Sequence, residues 1–445
     1  MRLAGRKALV VGLGKSGVAA VRLLADRGAR VAVADDKKAG DLAPMLEGLP
    51  VSELFAGGLS EAAFRDRDLV VASPGVPPSL PLLAQARSRG VEVIGEVELA
   101  SRFIEEPIAG ITGTNGKSTT TALTAHLLTR SGFSVFAGGN LGDALSNRVL
   151  RGGRLDATVC ELSSYQLEGI VSLRCAAATV LNVTPDHIER HPSLESYAKA
   201  KERIFLNQRE GDAAALNVAD SRVAAMRTNP GVARREFDPR FPRASGAPAY
   251  RTGPRTLSVH GESYELRVAT LRGAHNAENA LAALLLATHF GARREALQEG
   301  LDSYPGLPHR LEPVRTLDGV EWINDSKATN VDSVEKSLSA FERGVVLIMG
   351  GKGKGAPYAP LRSLFKGRVE ALLTIGEDAE RIEQELGDLV PTTSCKDLLR
   401  ACTEARRIAR SGSVVLLSPA CASYDQFKNF EDRGERFKEI VRRIE

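Results

Sequence analysis

Short runs of β-branched and aliphatic residues alternate along the chain with amphipathic stretches and glycine turns, the pattern of parallel strands joined by helical crossovers. KALVVGLG runs into SGVAAVRLLADRG, whose apolar positions recur at helical spacing as far as Gly28; VAVAD, LVVASPG and VEVIGE supply further strands of a first block. The second block opens with PIAGITGTNGKSTTTALTAHLLTRSG and continues through the strand candidates SVFAGGN, ATVCELSS, AATVLNV and AAALNVAD. Periodicity weakens over residues 221–270, which are rich in Arg, Pro and Gly, and this predicts irregular loops with some antiparallel strands. The apolar helix NAENALAALLLATHF closes the block, and after the turn SYPGLPHR a third block carries the strands VEWIND, VVLIMGG, ALLTIG and SVVLLSPA. The expectation is an α/β protein of three domains, residues 1–94, 95–303 and 304–445, each around a mainly parallel sheet.

Composition narrows the class. The 59 basic and 55 acidic residues leave a net charge of only +4, with no dense Lys/Arg run interleaved with aromatics, so nucleic acid is not the expected partner. A mild positive excess suits phosphorylated small molecules. Five cysteines form no CxxC pair and no metal-ligand spacing, which argues against a disulfide framework or a zinc module. The chain runs from MRLAGRKALVVGLG straight into a strand and a glycine turn, with no signal-peptide core and no apolar run of membrane-spanning length. A cytoplasmic monomer away from the membrane is the expectation.

The strongest chemical signal is GITGTNGKSTTT at 110–121, where a strand, a Gly-rich turn and a Lys-Ser-Thr helix start follow in immediate succession. Such a turn offers backbone N–H groups and the positive end of a helix dipole to phosphate oxygens. Gly113, Thr114, Asn115, Gly116, Lys117, Ser118 and Thr119 are the candidate cradle, Lys117 as a cation for the β and γ phosphates and Ser118 as a Mg²⁺ ligand. Five residues rather than four separate Gly110 from Gly116, so the common phosphate-loop spacing is not met; the competing reading is an ordinary strand-to-helix turn with a surface lysine. Glu161, ending the apolar run ATVC, and His187, in NVTPDHIERH after the next strand, are expected at the same sheet edge, where a doubly wound sheet delivers its functional residues.

The motifs TGTNGKST, GGN at 138–140, ELSSYQL from Glu161, NVTPDHIERH, AKAKERIF, GAHNAENALAA, GLPHR and NDSKATN occur in the order found in the Mur ligase family, which this chain resembles over nearly its whole length. The segment SPACASYDQFKNFEDRGERF at 418–437 resembles the D-glutamate-adding branch. The resemblance implies Rossmann-like sheets flanking a phosphate-loop ATPase-type central domain. It also implies an ATP-dependent, amide-bond-forming ligase of peptidoglycan precursor synthesis, with UDP-N-acetylmuramoyl-L-alanine and D-glutamate as substrates and an acyl phosphate between them. Carried over by position, Glu161 and His187 resemble the family's magnesium residues, and Lys201 resembles its carbamylated lysine, which implies a second Mg²⁺. Asn276, Asn279, Arg310, Asp325 and Lys327 resemble its ATP contacts. Thr329, Lys354, Ser423 and Phe430 resemble the D-glutamate pocket, with Lys352 two residues from Lys354 and Tyr424 where an aliphatic residue is expected. Read without the family, Lys201 would be a solvent-facing helix lysine.

Residues 12–17, GLGKSG, form a full G-x-G-x-x-G after a strand, with Asp35 ending the next strand, and taken alone they point to NAD. The motif specifies only that a pyrophosphate approaches a helix N-terminus, which UDP also satisfies. In the ligase reading Lys15, Ser16, Asp36, Ser73, Pro74 and Gly75, with Asn140, hold the UDP substrate. The alternatives are a ligase of the same family for another amino acid, an NAD-dependent oxidoreductase, and a non-catalytic nucleotide-responsive protein.

Overall fold

The computed structural model describes residues 1–140, 142–186 and 190–444. Three sheets follow one another along the chain. The first has strands β1 (Lys7–Val11), β2 (Arg30–Asp35), β3 (Glu53–Ala56), β4 (Leu69–Ala72) and β5 (Glu92–Gly95) in the order β3-β2-β1-β4-β5, with every neighbouring pair parallel. Each of the three inner strands is buried on both faces, as parallel sheets under helices require, which is why KALVV, RVAVAD and LVVA read as continuous apolar runs.

The second sheet holds β6 (Ile108–Thr112), β7 (Val135–Gly139), β8 (Ala157–Glu161), β9 (Ala177–Val180), β10 (Ala213–Asn217), β11 (Ala233–Asp238), β12 (Ala249–Arg251), β13 (Thr256–Val259) and β14 (Glu262–Glu265), in the order β14-β13-β12-β11-β10-β9-β6-β8-β7. Strand β6 lies between β8 and β9 and parallel to both, so the chain leaves β6 at the point where successive strands part to opposite sides. The stretch 221–270, expected as irregular with some antiparallel strands, supplies four short strands that extend this sheet, and β11 on β10 and β12 on β11 pair parallel.

The third sheet contains β15 (Glu312–Leu317), β16 (Val320–Asn324), β17 (Val345–Gly350), β18 (Val369–Ile375), β19 (Thr392–Lys396) and β20 (Val414–Leu417), ordered β15-β16-β20-β17-β18-β19. Only the β15–β16 hairpin is antiparallel among the described pairs of this sheet. By contacts the chain divides into two compact units: Met1–Arg251, Ser258–Tyr264 and Glu278–Gly300 form one, and Thr252–Leu257, Glu265–Ala277 and Leu301–Glu445 the other.

Within the first unit one apolar core runs through both sheets. Val10, Val33 and Val71 meet Val21 and Leu24 of the helix Lys15–Asp26, and the same cluster continues to Ile108, Cys160, Val180 and Leu216. All five cysteines are free and buried, as the absence of paired spacing predicts.

Candidate active site

Gly116 ends the turn after β6 at φ 84 and precedes the helix Lys117–Arg130, which no side chain caps. A Cβ at Gly116 would lie 2.2 Å from the Asn279 side-chain oxygen, so this position needs glycine for both its left-handed backbone and its space. Asn279 accepts from the Thr120 hydroxyl at 3.2 Å, which brings this expected nucleotide residue to the first turn of the helix. The loop is pinned to the segment after β9. Asn115 N donates to Asn182 Oδ1 at 2.8 Å, Thr184 N donates to Thr114 Oγ1 at 3.0 Å, and Asn182 in turn donates to Glu278 at 2.7 Å. The Lys117 ammonium folds over its own loop, donating to Gly113 O at 2.9 Å and Thr114 O at 2.8 Å. Ser118 and Thr119 occupy the first turn beside it.

A second lysine converges on the same carbonyl. Lys201, on the helix Leu194–Glu202, is 1% exposed, donates to Gly113 O at 2.8 Å and lies 4.2 Å from the centre of the Tyr197 ring. Burial foremost, with the neighbouring Lys117 charge, lowers its pKa to about 6, while Asp186 and Glu161 act in the opposite sense. Its amine is therefore largely neutral at pH 7, the state in which a lysine is a nucleophile.

Glu161, the last residue of β8, is 2% exposed. One oxygen accepts from Asn140 Nδ2 at 2.7 Å, and the other, Oε2, is buried with no hydrogen-bond partner among the described residues. A buried carboxylate oxygen left unmatched costs about 1–3 kcal/mol or more, which a bound cation would remove. The donor set of Glu161 and Ser118 beside an open helix start fits a Mg²⁺-nucleotide. No group of three or more His, Cys, Asp or Glu among the described residues is arranged to hold a metal without further ligands. His187, the remaining expected ligand, lies outside the described residues.

At the first sheet, Asp35 does not stand open for a ribose. Its two oxygens accept from Leu13 N at 2.6 Å and Lys37 N at 2.9 Å, so it fastens the turn that follows β1. Ser73 donates to Gly12 O at 2.6 Å across the same turn. Lys15 and Ser16 begin the helix Lys15–Asp26, Asp36 follows β2, and Pro74 and Gly75 follow β4, all at the carboxyl ends of the strands.

In the second unit, Lys354 Nζ lies 3.5 Å from Thr329 Oγ1. Phe430 opens the helix Phe430–Arg443; its carbonyl accepts from Ser326 Oγ at 2.8 Å and its ring lies 5.3 Å from Lys327 Nζ. Ser423 is buried. Asp325 is buried with both oxygens engaged, accepting from Leu311 N, Ser337 Oγ and Ser418 Oγ, and burial pushes its carboxyl up to about 6 despite those bonds. Asn276 donates to Arg272 O at 2.9 Å, and Arg310 is exposed. Sequence reasoning missed Arg433, which is fully buried and donates to Ser326 Oγ and O, Cys421 O, Gly350 O and Ala422 O. Burial lowers its pKa only to about 10, so it remains a cation joining the segments that carry Lys327, Lys354 and Ser423. It also missed Tyr197, Asn182, Thr184, Asp186 and Glu278, all within motifs it quoted or adjoining them.

Comparison with known proteins decides the family. The chain matches the Mur ligase MurD-like N-terminal domain over residues 6–95, the Mur ligase middle domain over 111–287 and the Mur ligase glutamate ligase domain over 309–421. This chain belongs to the Mur ligase family. Among relatives of this Mur ligase, the UDP-N-acetylmuramoylalanine–D-glutamate ligase of Anaeromyxobacter dehalogenans is 53% identical, the alignment covering 99% of this chain and 98% of that one. The protein of the same name from Myxococcus xanthus is 50% identical over 99% of each. Of solved structures, UDP-N-acetylmuramate-alanine ligase MurC from Thermotoga maritima matches with a TM-score of 0.60 at 20% identity, covering 98% of this chain and 99% of that one. MurF from Acinetobacter baumannii matches with a TM-score of 0.61 at 17% identity, over 98% and 91%. These two establish the fold of this Mur ligase: three domains with mainly parallel sheets.

Proposed function

We propose that this Mur ligase joins D-glutamate to UDP-N-acetylmuramoyl-L-alanine through an acyl phosphate, releasing ADP and phosphate, in the cytoplasmic assembly of peptidoglycan precursor. The observation that carries the reading is the buried corner where Gly113 O collects both Lys117 and Lys201 beside the orphaned oxygen of Glu161. The substrate choice is supported by relatives bearing that name that align with this chain from end to end.

A carboxylate is a poor acyl donor because its leaving group would be oxide, and phosphorylation repairs this. Bringing an anionic carboxylate to a triphosphate costs Coulomb repulsion. Lys117 offsets it by exchanging its two loop carbonyls for phosphate oxygens, and the helix it begins adds its positive end. Ser118, Glu161, His187 and a carbamylated Lys201 would hold Mg²⁺ in two sites, and the ion would supply the remaining positive charge when bound. Carbamylation joins the neutral Lys201 amine to CO₂ with loss of one proton, leaving an anionic oxygen pair where a neutral amine was. Asn276, Asn279, Arg310, Asp325 and Lys327 serve the nucleotide; Lys15, Ser16, Asp36, Ser73, Pro74, Gly75 and Asn140 serve the UDP substrate. Thr329, Lys354, Ser423 and Phe430 receive D-glutamate, whose amine attacks the acyl carbon and expels phosphate. We assign these roles to domains 1–94, 95–303 and 304–445 of a monomer.

The test is phosphate release from purified protein. Release requiring ATP, the UDP-muramoyl substrate and D-glutamate, with L-glutamate inert, is the expected result. Turnover with L-lysine or meso-diaminopimelate but not D-glutamate would overturn the substrate assignment.

A further inference from the structure

The loop GGKGKG after β17 presents two lysines, and only Lys354 has a role in the reading above. Its backbone is held from several sides. Gly350 N donates to Pro419 O at 2.9 Å, Gly351 N to Ile375 O at 3.0 Å, and Asp378 N to Gly351 O at 3.0 Å. Lys352 exchanges both of its backbone hydrogen bonds with Ala422, at 2.9 and 3.0 Å, in an isolated antiparallel bridge. A Cβ at Gly351 would lie 2.3 Å from Ala422 O, so the two segments are as close as backbones come. Lys352 is thus fixed directly across from the residue before Ser423, while Lys354 leans to Thr329.

Both lysines are exposed, and neither forms an ion pair among the described residues. Two acids adjoin the loop: the Asp378 carboxylate, against Gly353, accepts from the Tyr358 hydroxyl at 2.5 Å, and one Asp425 oxygen accepts from Glu377 N at 3.1 Å while the other has no hydrogen-bond partner among the described residues. Below the bridge, the Arg433 guanidinium donates to Gly350 O and Ala422 O, adding a third positive charge. Asp425 offsets the Arg433 charge, which leaves the two exposed lysines to meet anions from solvent. An amino acid with two carboxylates supplies two.

We propose that Lys352, beside Ser423, binds one carboxylate of the incoming amino acid while Lys354, beside Thr329, binds the other, so that Lys352 selects for a dicarboxylic substrate. The inference rests on the reading of this region as the amino-acid pocket. A charge-assisted hydrogen bond at an exposed position corresponds to about a tenfold change in affinity.

The experiment measures D-glutamate KM and kcat for the full-length protein with ATP and the UDP-muramoyl substrate saturating. Lys352→Met is expected to raise the D-glutamate KM about tenfold, with kcat and the KM for ATP within about twofold. Lys352→Arg is expected to keep KM within about threefold of wild type. In Lys352→Met/Lys354→Met the two KM effects multiply, because each lysine holds a different carboxylate. A KM within twofold of wild type for Lys352→Met, or a fall in kcat alone, overturns the assignment of Lys352; KM effects that do not multiply overturn the division of the carboxylates. A wild-type protein without D-glutamate turnover overturns the pocket itself, a failure distinguishable from that of Lys352 alone.

Discussion

Glu161 lets stability and function be separated by a single isosteric change. In Glu161→Gln the carbonyl oxygen still accepts the Asn140 amide, whereas the orphaned carboxylate oxygen becomes a neutral amide nitrogen. An unmatched buried carboxylate oxygen costs more than the roughly 1–3 kcal/mol of an unsatisfied neutral polar group, even with the Lys201 amine nearby. Without metal the variant should therefore be more stable than wild type by about 1–2 kcal/mol. For a domain of roughly 200 residues this is a rise of about 2–8 °C in the melting temperature. With Mg²⁺ and ATP the order reverses, because wild type gains binding free energy that the variant has lost. The assay is thermal unfolding of both proteins in EDTA and again with Mg²⁺-ATP, with phosphate release in parallel. If Glu161→Gln were destabilised in EDTA and kept the full nucleotide-dependent shift, the reasoning that Glu161 is a strained metal ligand would be refuted.

Gly116→Ala places a side chain at φ 84 and drives a Cβ into Asn279. The left-handed backbone costs about 1–2 kcal/mol and the displaced Asn279–Thr120 bond about 1 kcal/mol more, so a loss of about 2–3 kcal/mol in denaturant unfolding is expected, and a loss under 1 kcal/mol would count against the geometry. Lys201 gives a pH signature. Its folded pKa of about 6 lies below its unfolded value, so the unfolded chain binds more protons between the two. The destabilisation by Lys201 is complete below pH 6 and disappears as pH rises toward about 10.4. Relative to Lys201→Met, wild type should gain up to about 1.4 kcal/mol per pH unit from pH 6.5 to 8.5 in denaturant midpoints taken without CO₂. A flat or falling difference contradicts the burial argument.

The inner strands were legible because burial on both faces forces unbroken apolar runs, as in KALVV and VVLIMG. Three strands that escaped notice lie at sheet edges and carry polar or exposed residues: ELFA in β3, EPVRTL in β15 and TTSCK in β19; inside the second sheet, the parallel β11 and β12 fell in the stretch expected as irregular with antiparallel strands. Edge strands pair on one side only, so the apolar alternation that marks a strand is weak there. The candidate phosphate loop was legible, without the common spacing, from the immediate succession of strand, Gly-rich turn and Lys-Ser-Thr helix start, because its chemistry is local. Lys201 was not, since LESYAKAKE reads as a solvated helix, and only tertiary packing buries the second of its two lysines. Asp35, taken alone, points in the opposite direction, because G-x-G-x-x-G followed by an acid describes a turn, and here the acid serves that turn.

The central claim is that a triphosphate on the turn before Lys117 activates a carboxylate by phosphorylating it. The most direct measurement supplies UDP-N-acetylmuramoyl-L-alanine with ¹⁸O in both carboxylate oxygens and analyses the released phosphate by mass spectrometry. One ¹⁸O per phosphate is the predicted result, since the oxygen that attacks phosphorus leaves with it when the amine displaces the acyl phosphate. Phosphate free of ¹⁸O, alongside normal amide formation, would contradict the account.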